Sequence, residues 1–330
     1  MRDFCSSVII TVNLSRPPLE TFSMTPRERI TAAVNGESLD RVPYMAWHHF
    51  NPDPPAGPKS QMAEIQLRFY RSFHPDLLKV MHDVPFQPIN ELNTPEDWRS
   101  IPVLDPNEGN FGLQLHTLRE IRKGLDSNVP MVETLFGVYS YARDISKGKL
   151  LEHLRADPDS VNVGLAALAE SLKSYARASL ESGSEGVFYA LSGASAEGAT
   201  REEYAATFLQ YDKGILCSVD DAPFNILHLH GYTDLYFDLI HNLPAAIVNW
   251  SDRAGGPTIS DARKIHRGCI LGGVDEKRFN NMTVQQISNL GRAAIAEAGV
   301  RHFILGPGCS VPDNSSVEKL QAIAQAAALA

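Results

Sequence analysis

The run Phe224-Asn225-Ile226-Leu227-His228-Leu229-His230-Gly231 closes a short apolar stretch with two histidines spaced i, i+2. An extended backbone points both imidazoles to one face. Further along, His302-Phe303-Ile304-Leu305-Gly306 runs into Pro307-Gly308-Cys309. Two imidazoles and a thiol at the ends of separate strands are the donors of a three-ligand zinc site. Three protein ligands leave a fourth position open for a water or a substrate. The plainer alternative is two polar strand-end residues and an unrelated thiol.

Such donors converge only if a larger framework brings their strand ends together. Short apolar runs suited to buried parallel strands occur at 42–48, 80–84, 130–135, 186–191, 225–230, 246–250, 269–273 and 302–305. Helical patterns lie between them, among them 159–180, 200–216, 260–266, 284–298 and 315–328. Thr25-Pro26-Arg27-Glu28 and Thr200-Arg201-Glu202-Glu203 both have the form of a capping box, the first with proline at the first helical position. Eight strands alternating with helices predict an α/β fold, a single (β/α)8 TIM barrel. An open doubly wound sheet is the runner-up, but no glycine-rich phosphate loop follows the first strand.

A barrel collects its reactive groups just beyond the C-terminal ends of its strands. Trp47, His48 and His49 lie at the end of the first run, His82 and Asp83 in the second, and Glu133 in the third. Ser192 follows the fourth, and His228 and His230 end the fifth. Asn249 and Asp252 mark the sixth, Asp275 the seventh and Cys309 the eighth. His48, His49, Asp83, Glu133 and Asp275 are the acid–base candidates. Trp47, Ser192, Asn249 and Asp252 are candidates for substrate contact. Glu133, Asp252 or Asp275 would also serve as a fourth ligand or orient a metal-bound histidine. Each has a structural alternative: His48 or His49 capping a loop, Asp83 binding loop amides, and Asp252 with Arg253 forming a loop ion pair. Cys217 and Cys269 read as buried apolar fillers.

Composition narrows the partners. The chain has 330 residues, 43% of them hydrophobic, and a net charge of −9, which disfavours nucleic acid and anionic membranes and leaves a small molecule as the expected ligand. No apolar run is long enough to span a bilayer. The four cysteines form no CxxC pair, and a reduced cytoplasmic setting is the simplest expectation. Residues 1–23 read as an N-terminal extension, a loose arm broken at Arg16-Pro17-Pro18, ahead of a barrel over 24–330, with Met24 a candidate natural start. A homodimer is admitted without being indicated.

Met24-Thr25-Pro26-Arg27-Glu28-Arg29, followed by Asp40-Arg41-Val42-Pro43, resembles the opening of proteins similar to uroporphyrinogen decarboxylase. Gly186-Val187-Phe188-Tyr189, Leu227-His228-Leu229-His230-Gly231, Gly272-Gly273-Val274-Asp275 and Leu305-Gly306-Pro307-Gly308-Cys309 extend the likeness towards the C-terminus. That superfamily has a (β/α)8 barrel and includes zinc-dependent methyltransferases that use a corrinoid carrier protein. The methyltransferase branch implies a His-x-Cys pair and a distant Cys as ligands: His228 and Cys309 match, and His230 stands in place of the first cysteine. Histidine is also a zinc ligand, and one thiolate fewer makes the metal a stronger Lewis acid. The decarboxylase branch implies an arginine-bearing run after the first strand, where this chain has Met45-Ala46-Trp47-His48-His49-Phe50, and a third-loop tyrosine whose place falls near Arg143 or Asp144. Asp83 is the nearest match to that branch's catalytic aspartate. The resemblance therefore implies a zinc-dependent methyl transfer to or from a small nucleophile, with a corrinoid carrier or a small methylated molecule as methyl donor. The alternatives are decarboxylation of a small carboxylated substrate through Asp83, or a binding barrel without chemistry.

Overall fold

The computed structural model describes residues 23–50, 59–83 and 89–329, so the expected N-terminal extension lies almost wholly outside the described residues. Among the described residues seven strands form one parallel sheet in sequence order: β1 (Leu78–Val80), β2 (Met131–Phe136), β3 (Val187–Leu191), β4 (Ile226–Leu229), β5 (Ile247–Trp250), β6 (Cys269–Val274) and β7 (Phe303–Pro307). Nearly every strand residue is buried, as expected of a parallel sheet covered by helices. Both expected capping boxes form, at Thr25/Glu28 and Thr200/Glu203. The longest helix, Pro158–Glu181, starts on Asp157, whose side chain accepts from Ser160 N.

Two strand expectations are corrected. The first run, 42–48, contributes only a one-residue parallel bridge, Tyr44 to Leu305. Met45 N donates to Leu305 O at 3.0 Å, Leu305 N to Pro43 O at 2.8 Å, and Asp76 N to Tyr44 O at 2.9 Å, so 43–45 lies between β7 and the approach to β1 without forming a full strand. The second run stops at Val80 rather than 84. Gln66 Oε1 accepts from Met81 N at 2.8 Å, and the Gln66 and Gln114 amides donate to Met81 O, so side chains take the place of a neighbouring strand. The helix expected at 200–216 is also interrupted: a π-turn at Tyr204–Phe208 lies between Arg201–Glu203 and Leu209–Cys217. Cys269 is buried as expected, but Cys217 is exposed.

Candidate active site

The pleat decides which side chains reach the sheet's inner face. Lys79 and Met81, Thr134 and Phe136, Phe188, Ala190 and Ser192, then His228 and His230 line one cavity of about 480 Å³, each set at a spacing of two. Trp47 and His49 enter from the segment after the Tyr44 bridge, Arg143 and Asp144 from the helix after β2, and Cys309 from the loop after β7.

His228, His230 and Cys309 meet at one wall, with one donor atom from each lying within 4.8 Å of the others. Cys309 Sγ is 3.7 Å from His230 Nδ1, close to the edge of about 3.5 Å implied by tetrahedral zinc–ligand bonds. Two glycines permit this approach. A Cβ at Gly308 would lie 2.5 Å from Ser251 Cα, and Gly231 has φ of +141°.

The tautomer of His228 follows from its neighbour. Asn249 Nδ2 donates to Leu271 O at 2.9 Å and to Pro307 O at 3.1 Å, which leaves Oδ1 to face His228 Nδ1 at 2.6 Å. His228 Nδ1 therefore carries the proton, and the lone pair is on Nε2. Burial first, then the neighbouring His230, pushes the His228 pKa well below its usual value, so the ring is neutral. Burial likewise lowers His230 and raises Cys309, which is a thiol at neutral pH unless a cation draws off its proton. A neutral imidazole lone pair, a second imidazole and a thiol are donors suited to zinc.

His49 lies at the rim. Its Nδ1 bonds Asp83 Oδ1 at 2.7 Å, and Asp83 Oδ2 accepts from Phe50 N at 2.9 Å. Asp83 thus holds the first loop and bonds to the cavity rim through His49. Trp47 and Ser192 line the cavity directly.

The other expected residues stand apart from it. His48 packs on Phe50 and Phe69, with ring centroids at 4.4 and 4.9 Å, and bonds His49 O. Glu133 faces the helices because Thr134 faces the cavity; it accepts from Tyr175 OH at 2.7 Å and Gln114 Nε2 at 3.1 Å, with His82 Nδ1 at 2.8 Å. Asn249 spends its amide on the bonds above and offers none to a substrate. Asp252 Oδ1 accepts from Gly273 N at 3.0 Å beside Arg253, and burial raises its pKa to about 7. Asp275 closes a turn onto Arg278 N and Nε, at 2.9 and 2.6 Å. Neither aspartate reaches the donor cluster. Lys79 is a charged cavity residue that sequence reasoning missed. Its signal was a charge inside the apolar run Leu77-Leu78-Lys79-Val80-Met81.

The family pattern described as uroporphyrinogen decarboxylase (URO-D) matches residues 58–328. The chain belongs to the URO-D family. Within reach of this URO-D chain, methylcobamide:CoM methyltransferase MtbA of Methanosarcina acetivorans is 22% identical over 234 residues, covering 70% of this chain and 68% of that protein. A methyltransferase from Methanosarcina mazei superposes with a TM-score of 0.80 at 18% identity, over 92% of this chain and 98% of that one. A B12-independent methionine synthase from a Shewanella species, solved with selenomethionine, gives 0.56 at 11% identity, over 86% and 92%. At these identities the two solved structures establish a shared fold. Among the described residues of this URO-D chain, no helix is long and apolar enough to cross a membrane.

Proposed function

We propose that this URO-D family chain is a methyltransferase-like enzyme that moves a methyl group to or from a small nucleophile, with His228, His230 and Cys309 holding a zinc ion. The observation that carries this reading is the convergence of those three donors, with the His228 lone pair directed by Asn249. The likeness to MtbA supports methyl transfer, with a corrinoid carrier or a small methylated molecule as donor. We read 43–45 as the eighth element of a (β/α)8 barrel and 24–330 as one domain. A cytoplasmic setting, which keeps thiols reduced, suits Cys309 as a ligand.

When bound, zinc would supply a Lewis acid with one open position that lowers the pKa of the nucleophile placed there. His228 through Nε2, with His230 and Cys309, would hold the ion and leave that position free. Trp47, Phe136 and Phe188 keep water from the reacting end of the cavity. His49 donates its Nδ1 proton to Asp83, which leaves Nε2 to take a proton at the rim. Among the described residues the wall offers two basic side chains, Lys79, whose pKa burial lowers to about 7, and Arg143, held by Asp144 at 2.9 Å. Such a wall does not match a substrate bearing many carboxylates, whose desolvation needs a cation for each. We therefore assign no turnover of uroporphyrinogen.

The test is elemental analysis of protein purified without added metal, expected to give about one zinc per chain. Cys309→Ser should lower that occupancy sharply. His230→Ala should abolish methyl transfer from methylcobalamin to a thiol, and His230→Cys should keep the metal and raise transfer. Full zinc retention in Cys309→Ser, or wild type without metal, would overturn the reading.

A further inference from the structure

β1 carries a lysine at its centre, where a strand of a covered parallel sheet ordinarily carries an apolar residue. Lys79 is 4% exposed and lines the cavity. Its Nζ sits 4.5 Å from the centre of the Phe188 ring, 5.5 Å from that of Trp47 and 2.8 Å from Met81 Sδ. Among the described residues no carboxylate forms an ion pair with it, whereas buried Arg29 carries Asp40 and Asp76. Asp144, an acid on the same wall, is engaged by Arg143.

A structural lysine carries its ammonium out to water or onto a carboxylate, and Lys79 does neither. Burial lowers its pKa to about 7, against the partial pull of Asp83, Cys309 and Glu133. Much of the side chain is therefore a neutral amine at neutral pH. Such an amine is a nucleophile towards carbonyl carbon, and desolvation among apolar side chains is one way proteins obtain it. The neighbours suit the product as well. A protonated imine is a cation, which the faces of Phe188 and Trp47 attract.

We propose that Lys79 is an imine-forming site, which joins its Nζ covalently to the carbonyl carbon of a small, uncharged aldehyde or ketone. The Nζ lone pair adds to the carbonyl carbon while the C=O π electrons move to oxygen. The resulting carbinolamine expels that oxygen as water, both hydrogens coming from the amine, and a C=N double bond remains. No oxidant, reductant or metal enters this balance. The inference goes beyond the methyl-transfer reading, because the step is the same with or without an ion at His228, His230 and Cys309. A cavity of about 480 Å³ admits a short carbonyl compound, and Trp47, Phe136 and Phe188 give its apolar part a matching wall.

Two probes test this on as-purified protein. Butan-2-one followed by borohydride should convert Lys79 to its sec-butyl amine, read by mass spectrometry of its peptide. A lysine in water is almost wholly ammonium at pH 7 and lacks the lone pair, so Lys79 should be modified at least about tenfold faster than the exposed Lys123, Lys147 and Lys264. Pentane-2,4-dione, which needs no hydride, should give a single fast enaminone phase, seen as absorbance beyond the tryptophan band. Lys79→Met should lose that phase and keep whatever zinc the wild type holds. Labelling of Lys79 no faster than of the exposed lysines, a fast phase that persists in Lys79→Met, or loss of zinc from a folded Lys79→Met would overturn the imine site. Adduct formation by a wild type that holds no metal would instead overturn the zinc centre and leave the imine site standing.

Discussion

Two polar clusters sit at different places around the same sheet, and they are built on opposite terms. Where the chain approaches β1, Asp76 is buried and fully used. It accepts from Arg29, from Arg41 at 2.7 and 2.9 Å, and from Tyr44 N at 3.0 Å, while Arg29 also grips Asp40 at 2.7 Å. In the cavity, Lys79, the His228 lone pair and Cys309 face open space. The first cluster is saturated and ties the backbone together. The second lines a cavity wall and ties no backbone segments together. Burial of charge alone does not mark a site; burial with valences left over does.

The sharpest break in this contrast is at Asp76. Asp76→Asn leaves two arginines without a full counter-charge and should destabilise the fold by about 3–5 kcal/mol in urea unfolding. Zinc content per folded chain should not change. The converse holds at the cavity, where Cys309→Ser should remove metal while metal-free stability stays within about 1 kcal/mol of wild type. If both variants lose both properties, the two clusters are one cooperative unit and the contrast fails.

A finer cut goes through Asn249, which belongs by packing to the saturated kind and by position to the open one. Asn249→Ala should lower zinc affinity by about 10–100-fold. It should also free His228 to switch tautomer, visible as a shift of its ring nitrogen resonances. A fall in affinity with the tautomer unchanged would make Asn249 a packing residue only.

The smallest effect concerns acid. Burial alone would raise the Asp40 carboxyl, but the bonds and charge of Arg29, with the amides of Met24 and Arg41, hold it at about 2. A carboxyl near ~3.9 when unfolded then contributes stability that is complete above that pH and is lost as pH falls through the folded value. Asp40→Asn should remove this term and move the acid-unfolding midpoint upward by roughly half a pH unit. An unchanged midpoint would show that the pair is already screened.

Much of the cavity was legible in advance because its chemistry is written at a spacing of two. His228 and His230 needed only an extended backbone, and Cys309 needed only a second strand end. Glu133 was misjudged because its direction depends on the pleat of β2, where Thr134 took the inner face. Lys79 was overlooked for a related reason. Its side depends on β1 pairing Lys79 with Val132 and stopping at Val80, and that stop is imposed by glutamines 15 and 33 residues from Met81. The first strand was overestimated because 42–48 is apolar enough for a strand, while nothing local records that its sheet partners amount to Leu305 and Asp76. Asn249 showed its type but not its task, since both carbonyls that orient it come from later strands.

That single bridge at Tyr44 also affects how the molecule breathes. A ladder of many hydrogen bonds opens cooperatively, whereas a contact of two opens by local fluctuation. The amides of Met45 and Leu305 are thus expected to exchange early, slowed chiefly by the aspartate–arginine knot that fastens Tyr44 N beside them. Trp47 and His49 ride on the same stretch. A weak stitch in the backbone therefore lies a few residues from the cavity wall, and the knot sets how often that stitch comes loose.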